Sequence, residues 1–413
     1  MKKIFLLALC LAGGAQVVKA QNVTRDNRVI TTGVPFLLIA ADARAGGMAD
    51  QGVATSTDVY SQQWNPAKYA FASNQQGVAV SYTPYLTSIA NDISLGQLNY
   101  YYKLRDERSA FGASLRYFSL GDIEIRQDAT DPAITRSPNE FALDVSYSLK
   151  LHDRFSMSVA GRLINSNLKV AEAVAGTSSD ANAAVSYAFD LAGFYQSEEE
   201  AYADFDGRWR AGFNFQNLGP KISYDADTKL SSNFLPSNLR LGGGFDFIFD
   251  EYNTVGVSAE VTKLLVPTPP ADVKPLDANG DGDYNDAGDV NATQAEALYA
   301  EKLTQYKNTN WVSGIFKSFG DAPGGFSEEL KEVTYSVATE YTYNQAFNMR
   351  LGYFHESPQK GARKFFSLGA GFKYTTVKID FSYLFSASTV RNPLENTLRF
   401  SLSFNFGDEY DQD

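Results

Sequence analysis

Residues 398–406 read LRFSLSFNF. Leu398, Phe400, Leu402, Phe404 and Phe406 alternate with Arg399, Ser401, Ser403 and Asn405. Successive side chains of a β-strand point to opposite faces, so this stretch has one apolar and one polar face. The pattern returns in Phe141, Leu143, Val145 and Tyr147, in Val333, Tyr335, Val337, Thr339 and Tyr341, and in Val377, Ile379, Phe381, Tyr383 and Phe385. About fourteen such segments are expected, near 76–84, 92–103, 108–120, 139–149, 153–165, 183–195, 208–216, 238–248, 253–263, 331–343, 346–355, 364–374, 375–385 and 395–406. Each approaches the 9–11 residues that a tilted membrane-crossing strand needs, and the even number suits a bacterial barrel. The fold class predicted is all-β, an antiparallel transmembrane β-barrel over 76–406.

The connections supply a second line of argument. After even segments they are short, as at 104–107, 150–152, 250–252 and 344–345, with the acidic stretch 196–207 as the exception. After odd segments they are long: 121–138, 166–182, 217–237 and 264–330. Short periplasmic turns and long outer loops alternate in this way in a membrane barrel, and a soluble β-sandwich has no reason to. The expectation is a bacterial outer-membrane protein with both termini periplasmic, long extracellular loops and a short periplasmic tail at 407–413.

Residues 1–20 have the form of a secretory signal peptide: Lys2 and Lys3, an apolar run, then Val18-Lys19-Ala20 as a small-residue cleavage site. Cys10, the one cysteine, lies inside it, so no disulfide framework is expected in the mature chain. The formal charge of −12 becomes −15 without Lys2, Lys3 and Lys19. So acidic a chain is a poor partner for nucleic acid, whose phosphates need Lys and Arg. Past the signal no apolar run reaches 18 residues, so no transmembrane helix is expected. Aromatics make up 14% of the chain, enough for girdles at both bilayer edges, though a soluble core would also absorb them.

Residues 33–70 are built differently. A short apolar run is followed by small and polar residues and by Trp64-Asn65-Pro66-Ala67, with no period of two. Placed before a barrel, the region 21–75 reads as a plug. The polar faces of the strands carry Arg116, Asp144, Arg162, Arg210, Arg240, Asp246, Glu260, Glu340, Arg350, Lys373 and Asp380. Mixed signs suit a lumen packed round a plug by paired charges, where a single sign would suit a selective ion pore.

Few residues suggest chemistry. Asp277, Asn279, Asp281, Gly282 and Asp283 match the opening of a calcium loop, D-x-N-x-D-G, whose spacing aims alternate oxygens at one point. Gly288 stands where the closing Glu belongs, and Asp286 or Asp289 is the substitute. The competing reading of 277–289 is a solvated turn. Residues 293–307, TQAEALYAEKLTQYK, form a helix in the long loop, with Leu298, Leu303 and Tyr306 among those on one face. That face either docks a partner or packs on its own loop. His152 and His355 are isolated and no nucleophile elbow or phosphate loop occurs, so no enzyme is expected.

Arg44-Ala45-Gly46-Gly47 and Asn65-Pro66-Ala67 resemble the N-terminal hatch of the FadL family of outer-membrane transporters. The stretches VPFLLIAADARAGGMAD (34–50), QQWNPAKYAF (62–71), SYTPYL (81–86) and LRYFSLGDI (115–123) are similar to a FadL-related family, the PorV proteins of type IX secretion. The resemblance implies a fourteen-stranded barrel plugged by its N-terminus. It also implies a shuttle that collects cargo bearing a C-terminal signal domain from the translocon barrel and delivers it to a sortase and attachment complex. Outer-membrane lipid is then a further partner. The alternative is a transporter of hydrophobic small molecules. That would need a side opening at a kinked strand, and Gly242, Gly243 and Gly244 are the candidates, with tight packing against the plug as their other reading.

Overall fold

The computed structural model describes residues 29–86, 92–126, 134–168, 183–224, 232–278, 282–285, 288–388 and 397–409. Fourteen antiparallel strands form the wall. They are β1 Asn74–Pro84, β2 Ser94–Lys103, β3 Ser109–Ser119, β4 Asn139–His152, β5 Phe155–Asn167, β6 Ala184–Gln196 and β7 Asp206–Leu218, followed by β8 Asn238–Ile248, β9 Asn253–Leu264, β10 Val333–Tyr343, β11 Phe347–His355, β12 Lys364–Tyr374, β13 Val377–Ser386 and β14 Leu398–Glu409. Each pairs with its neighbours in sequence, and β14 pairs with β1 to close the barrel. Closure removes every free strand edge and satisfies the backbone without water, as lipid demands.

Alternation along the strands sorts the side chains. On β5 and β6, Val159 and Tyr187 face out at 57% and 67% exposure, while their neighbours Ala160 and Ala188 face in at 6% and 4%. The outer surface is the apolar one, the reverse of a water-soluble barrel and the arrangement lipid requires. No helix of the described residues is long and apolar enough to cross a membrane.

The two rims differ as the sequence implies. Connections 104–108, 153–154, 249–252, 344–346 and 375–376 lie on one rim, together with 197–205, where Glu200–Ala201 adds a short strand beside β7. The strand ends Pro84 and Ser94, Ser119 and Asn139, Asn167 and Ala184, Leu218 and Asn238, Leu264 and Val333, His355 and Lys364, and Ser386 and Leu398, between which the longer connections run, lie on the other. The last strand runs past Phe406 to Glu409, which pairs with Asn74, so residues 407–409 belong to the wall and not to a tail.

Residues 33–72 lie inside the barrel, buried almost throughout. They contain the short helices α1 Ala43–Gly47 and α2 Ser61–Trp64 and two 3-10 turns, Pro35–Leu38 and Pro66–Phe71. The path is directional. Gly33 donates its N–H to the Phe234 carbonyl in loop 219–237 of the long-loop rim. Phe36 and Leu37 pack with Leu95, Phe118, Ile164 and Leu235 at that end. Ala67 and Phe71 pack with Phe194 near the short-turn rim, and β1 begins there. The expectation of two periplasmic termini falls on residues 1–28 and 410–413, which lie outside the described residues. Among described residues the chain enters at the long-loop rim and β14 ends at the opposite one. A segment of mixed small residues has no periodicity from which its direction can be read.

Candidate functional site

The inner segment is held by wall side chains that point inward. Asp42 caps α1, accepting the Ala45 N–H at 2.7 Å and the Trp64 indole N–H at 2.8 Å. The cap starts a helix too short to persist alone. Two residues on, Arg44 donates to both oxygens of Glu340 on β10, at 3.1 and 2.9 Å, and to Asp58 at 2.8 Å. Arg350, directly opposite Glu340 on β11, donates to Glu340 at 2.5 Å and to Asp380 on β13 at 2.7 Å. Two guanidinium groups and three carboxylates thus form one network, with Arg44, Arg350 and Asp380 buried and Asp58 and Glu340 half-buried. Such groups must be paired and hydrogen-bonded to be tolerated out of water.

Gly46 and Gly47 set how closely α1 approaches the wall. A Cβ on Gly47 would stand 2.9 Å from the Gly369 Cα on β12, and one on Gly46 would collide with Arg399 on β14. Arg399 in turn pairs with Asp50 at 3.1 Å. Beyond the helix, Glu260 on β9 accepts the Gly52 and Val53 N–H groups at 2.9 and 3.0 Å and pairs with Arg240 at 2.8 Å. Arg116 on β3 donates to the carbonyls of Phe36, Leu37 and Ile39. The irregular backbone thereby finds in wall side chains the partners that a helix or sheet would have supplied.

Trp64, Asn65, Pro66 and Ala67 work as one corner. The Asn65 side-chain oxygen accepts the Ala67 N–H, and its amide donates to the carbonyls of Val53 and Gly193 at 2.9 Å each. Pro66 occupies the first position of the next turn, where its missing N–H costs nothing. Ser148 and Ser156 donate to the Pro66 and Ala67 carbonyls. Arg240 lies over the Trp64 ring at 4.9 Å.

All of Arg44, Gly46, Gly47, Trp64, Asn65, Pro66 and Ala67 are buried inside the barrel. Most of the inward-facing charges expected from alternation are there too, with Glu340 and Lys373 half-buried. Asp42, Asp50 and Lys68 lie in the aperiodic segment and give no sequence signal. A cavity of about 330 Å³ remains between the segment and the wall toward the short-turn rim, with Arg44, Asp58, Arg210, Asp246, Glu340 and Lys378 among its lining. Both signs of charge line it.

Gly242 and Gly244 face the inner segment, and a Cβ on Gly242 would stand 2.5 Å from the Val53 Cγ1. β8 is paired to β7 and β9 at every residue from Asn238 to Ile248 without a register shift. The side opening expected for a transporter at this triplet is therefore absent, and Gly242 and Gly244 serve tight packing.

Outside the barrel, loop 265–332 carries α3 Ala292–Asn308, α4 Trp311–Lys317 and α5 Phe326–Glu329. It is anchored where Lys263 pairs with Glu329 and Glu332, and Lys360 of loop 356–363 pairs with Glu328 and Glu332, all within 2.9 Å. Burial pushes the Glu332 carboxyl up, but hydrogen bonds from Lys263, Thr268 and Lys360 outweigh it and hold it below the usual range. α3 opens with a capping box, Asn291 and Gln294. Tyr306 is half-buried against Phe234, Leu303 is half-buried, and Leu298 is exposed. Of the proposed calcium ligands, Asn279 and Asp281 lie outside the described residues, as does the substitute Asp286. The Asp277 carboxylate accepts the Gly282 N–H at 2.8 Å and Asp283 is exposed. Among the described residues no group of three or more His, Cys, Asp or Glu is placed to hold a metal.

A closed barrel, apolar outside and filled with paired charges inside, defines an outer-membrane β-barrel protein. Residues 22–271, more than half of the chain, match the family model of the type IX secretion system protein PorV, and the chain belongs to that family. Solved structures similar to it include a deletion mutant of the monoaromatic hydrocarbon channel TodX (13% identity, 88% of this chain and 99% of that one, TM-score 0.49). Others are the Pseudomonas putida toluene transporter TodX (13%, 91% and 98%, 0.45) and a Pseudomonas aeruginosa FadL homologue (13%, 90% and 99%, 0.42). Likeness at this level adds nothing to the barrel already described and says nothing of a substrate. The comparison with curated proteins finds no match.

Proposed function

We propose that this outer-membrane protein is a cargo shuttle of type IX secretion. It binds secreted proteins through their C-terminal signal domain, receives them from the translocon barrel and hands them to the surface sortase and attachment complex. The observation that carries the reading is membership of the PorV family over residues 22–271. Two features support it. The inner segment runs through the lumen from rim to rim and acts as a plug, which leaves cargo binding to the surface. Seven connections, including the long loop 265–332, crowd one rim, which faces outward and grips cargo. The short-turn rim, with the end of β14, faces the periplasm.

The test is recovery of the tagged protein from native outer membranes in mild detergent, with the bound material identified. A very large barrel together with secreted proteins bearing C-terminal signal domains is expected. A lone barrel carrying fatty acid or another apolar molecule in its lumen would replace the shuttle with a transporter.

A further inference from the structure

Loop 265–332 displays an apolar surface that its own packing does not use. The inward stripe of α4 and its C-cap is Trp311, Gly314, Ile315 and Ser318, with Gly314 and Ser318 buried and Trp311 and Ile315 half-buried. Gly314 lies so close to Phe234 and Pro267 that a Cβ there would touch both at 3.0–3.1 Å. The opposite face and the chain beyond it present Val312, Phe316, Phe319, Phe326 and Leu330, at 44%, 74%, 53%, 77% and 57% exposure. Phe316 and Phe326 are barer than the outward-facing phenylalanines of the wall, such as Phe189 at 48% and Phe372 at 55%. A loop surrounded by water has no physical reason to hold three phenylalanines in the open.

One ring contact and one chain connection locate this surface. At one end, the Trp311 ring meets the Phe189 ring edge-on at 6.3 Å, and Phe189 is an outward residue of β6. It continues the apolar column of Val185 and Tyr187, the barest wall residues on that strand. At the other end, Leu330 lies three residues before β10, whose outward residues Tyr335 and Val337 are 44% and 49% exposed. The exposed stretch therefore starts beside the outward face of β6 and leads along the chain into β10.

We infer that α4 and the chain from it to Leu330 form a lipid-seated flange: they lie in the membrane interface beside the barrel, and the occupant of their apolar face is lipid acyl chain. A short helix with aromatics on one face and a charged residue beside them occupies an interface to a depth of roughly 5–10 Å. Lys317, exposed next to Phe316, has the reach to keep its ammonium among headgroups while its stem lies on the apolar side. The flange would fix the height of the barrel in the bilayer and hold the base of loop 265–332 there. The inference rests on the barrel lying in a membrane and is independent of the shuttle reading.

The test uses the full mature chain in lipid nanodiscs, one copy per disc. The only cysteine of the sequence lies in the signal segment, so single cysteines are unambiguous labelling sites. Phe316→Cys and Phe326→Cys carry a nitroxide spin label, with Val337→Cys as a lipid-facing standard and Leu298→Cys on α3 as an aqueous one. Heat-modifiable migration on gels verifies that each variant is folded. Relaxation by oxygen, which concentrates in lipid, is compared with relaxation by a water-soluble nickel chelate. The expected result is a ratio of oxygen to nickel accessibility at 316 and 326 that matches position 337 and exceeds position 298 several-fold. A ratio at both sites that matches 298 would overturn the flange and leave a water-facing patch for a protein partner. Low accessibility to both reagents would also overturn it, in favour of a face covered by the protein itself.

Discussion

Arg44 in the inner segment and Glu340 on β10 are 296 residues apart in sequence and joined by two parallel hydrogen bonds, 3.1 and 2.9 Å long. The fork of a guanidinium matches a carboxylate in both spacing and plane, so the pair fixes orientation as well as position. Asp58, Arg350 and Asp380 extend it into a network that Lys378 joins at 4.0 Å from Asp380. Loss of Arg44 would take the guanidinium partner from Asp58 and leave Glu340 with Arg350 alone. Arg44→Ala is expected to cost about 3–5 kcal/mol, the scale for breaking a buried pair on one side. Arg44→Lys keeps the charge, loses the fork and should fall between. Protease nicking of residues 33–72 in the folded barrel is the readout. The double variant with Glu340→Ala should be less damaged than the two single effects added together, because the pair is coupled. Strict additivity would break the link between the two residues.

The packing of α1 on the wall gives a second prediction. Gly47 and Gly369 meet backbone to backbone. Gly47→Val puts a branched side chain where no side chain fits, and the helix must move off β12. A loss of about 1–3 kcal/mol is expected, as for other over-packed interiors. Trp64 sits on the same segment, so its emission should shift red as the segment loosens, while heat-modifiable migration of the barrel persists. Unchanged emission and unchanged protease resistance would mean that the close approach carries no structural weight.

The wall was legible in the sequence and most of its filling was not. Fourteen strands and the short and long rims follow from a period of two and from loop lengths, which are local properties. Which charges face in follows from alternation. The partner of each charge does not. Glu340 meets Arg350 because β10 and β11 pair in that register, and meets Arg44 because α1 crosses the lumen at that height. Asp42, Asp50 and Arg399 acquire their roles the same way, through closure of the barrel on a segment with no pattern of its own. α4 was equally hidden: seven residues are too few for a helical period to stand out.

The anchor of loop 265–332 has a pH dependence with a definite sign. The Glu332 carboxyl lies below its ordinary value, so its contribution is complete above the unfolded value of about 4.3 and is lost as pH falls through the folded value. Hydrogen exchange of residues 318–332 should be flat, after correction for intrinsic rates, from pH 8 to about 5, and protection should fall only in stronger acid. Lys360→Met removes one donor and should move that loss to higher pH. Protection that falls between pH 8 and 6 would assign the anchor to some other group.

Calcium in the 277–289 loop is an expectation with a simple measurement. Asp277, Asn279, Asp281 and Asp283 would gather on the ion, with Gly282, at φ +86°, turning the chain. The Asp277 carboxylate accepts the Gly282 N–H, and bound calcium would tighten the chain there. Proteolysis of the loop should slow with added calcium and quicken with chelator, and Asp277→Asn should abolish the difference. Equal rates under both conditions would leave a solvated turn.

The helix α3 tests the shuttle reading at residue level. Its C-terminal end is occupied: Tyr306 packs on Phe234, and the Lys307 carbonyl accepts from Lys221. Leu298, two turns earlier, is exposed at 41%. A contact surface for cargo or translocon would therefore run along the N-terminal turns. Leu298→Asp should leave heat-modifiable migration unchanged and lower the recovery of cargo in the pull-down several-fold. Tyr306→Ala should disturb the loop itself and so weaken recovery and loop protection together. The dissociation between these two variants separates a docking role from a packing role, which deletion of residues 293–307 alone would confound. If cargo and translocon recovery survive both Leu298→Asp and the deletion, α3 has no part in capture, and the grip must be sought in the other connections of the same rim.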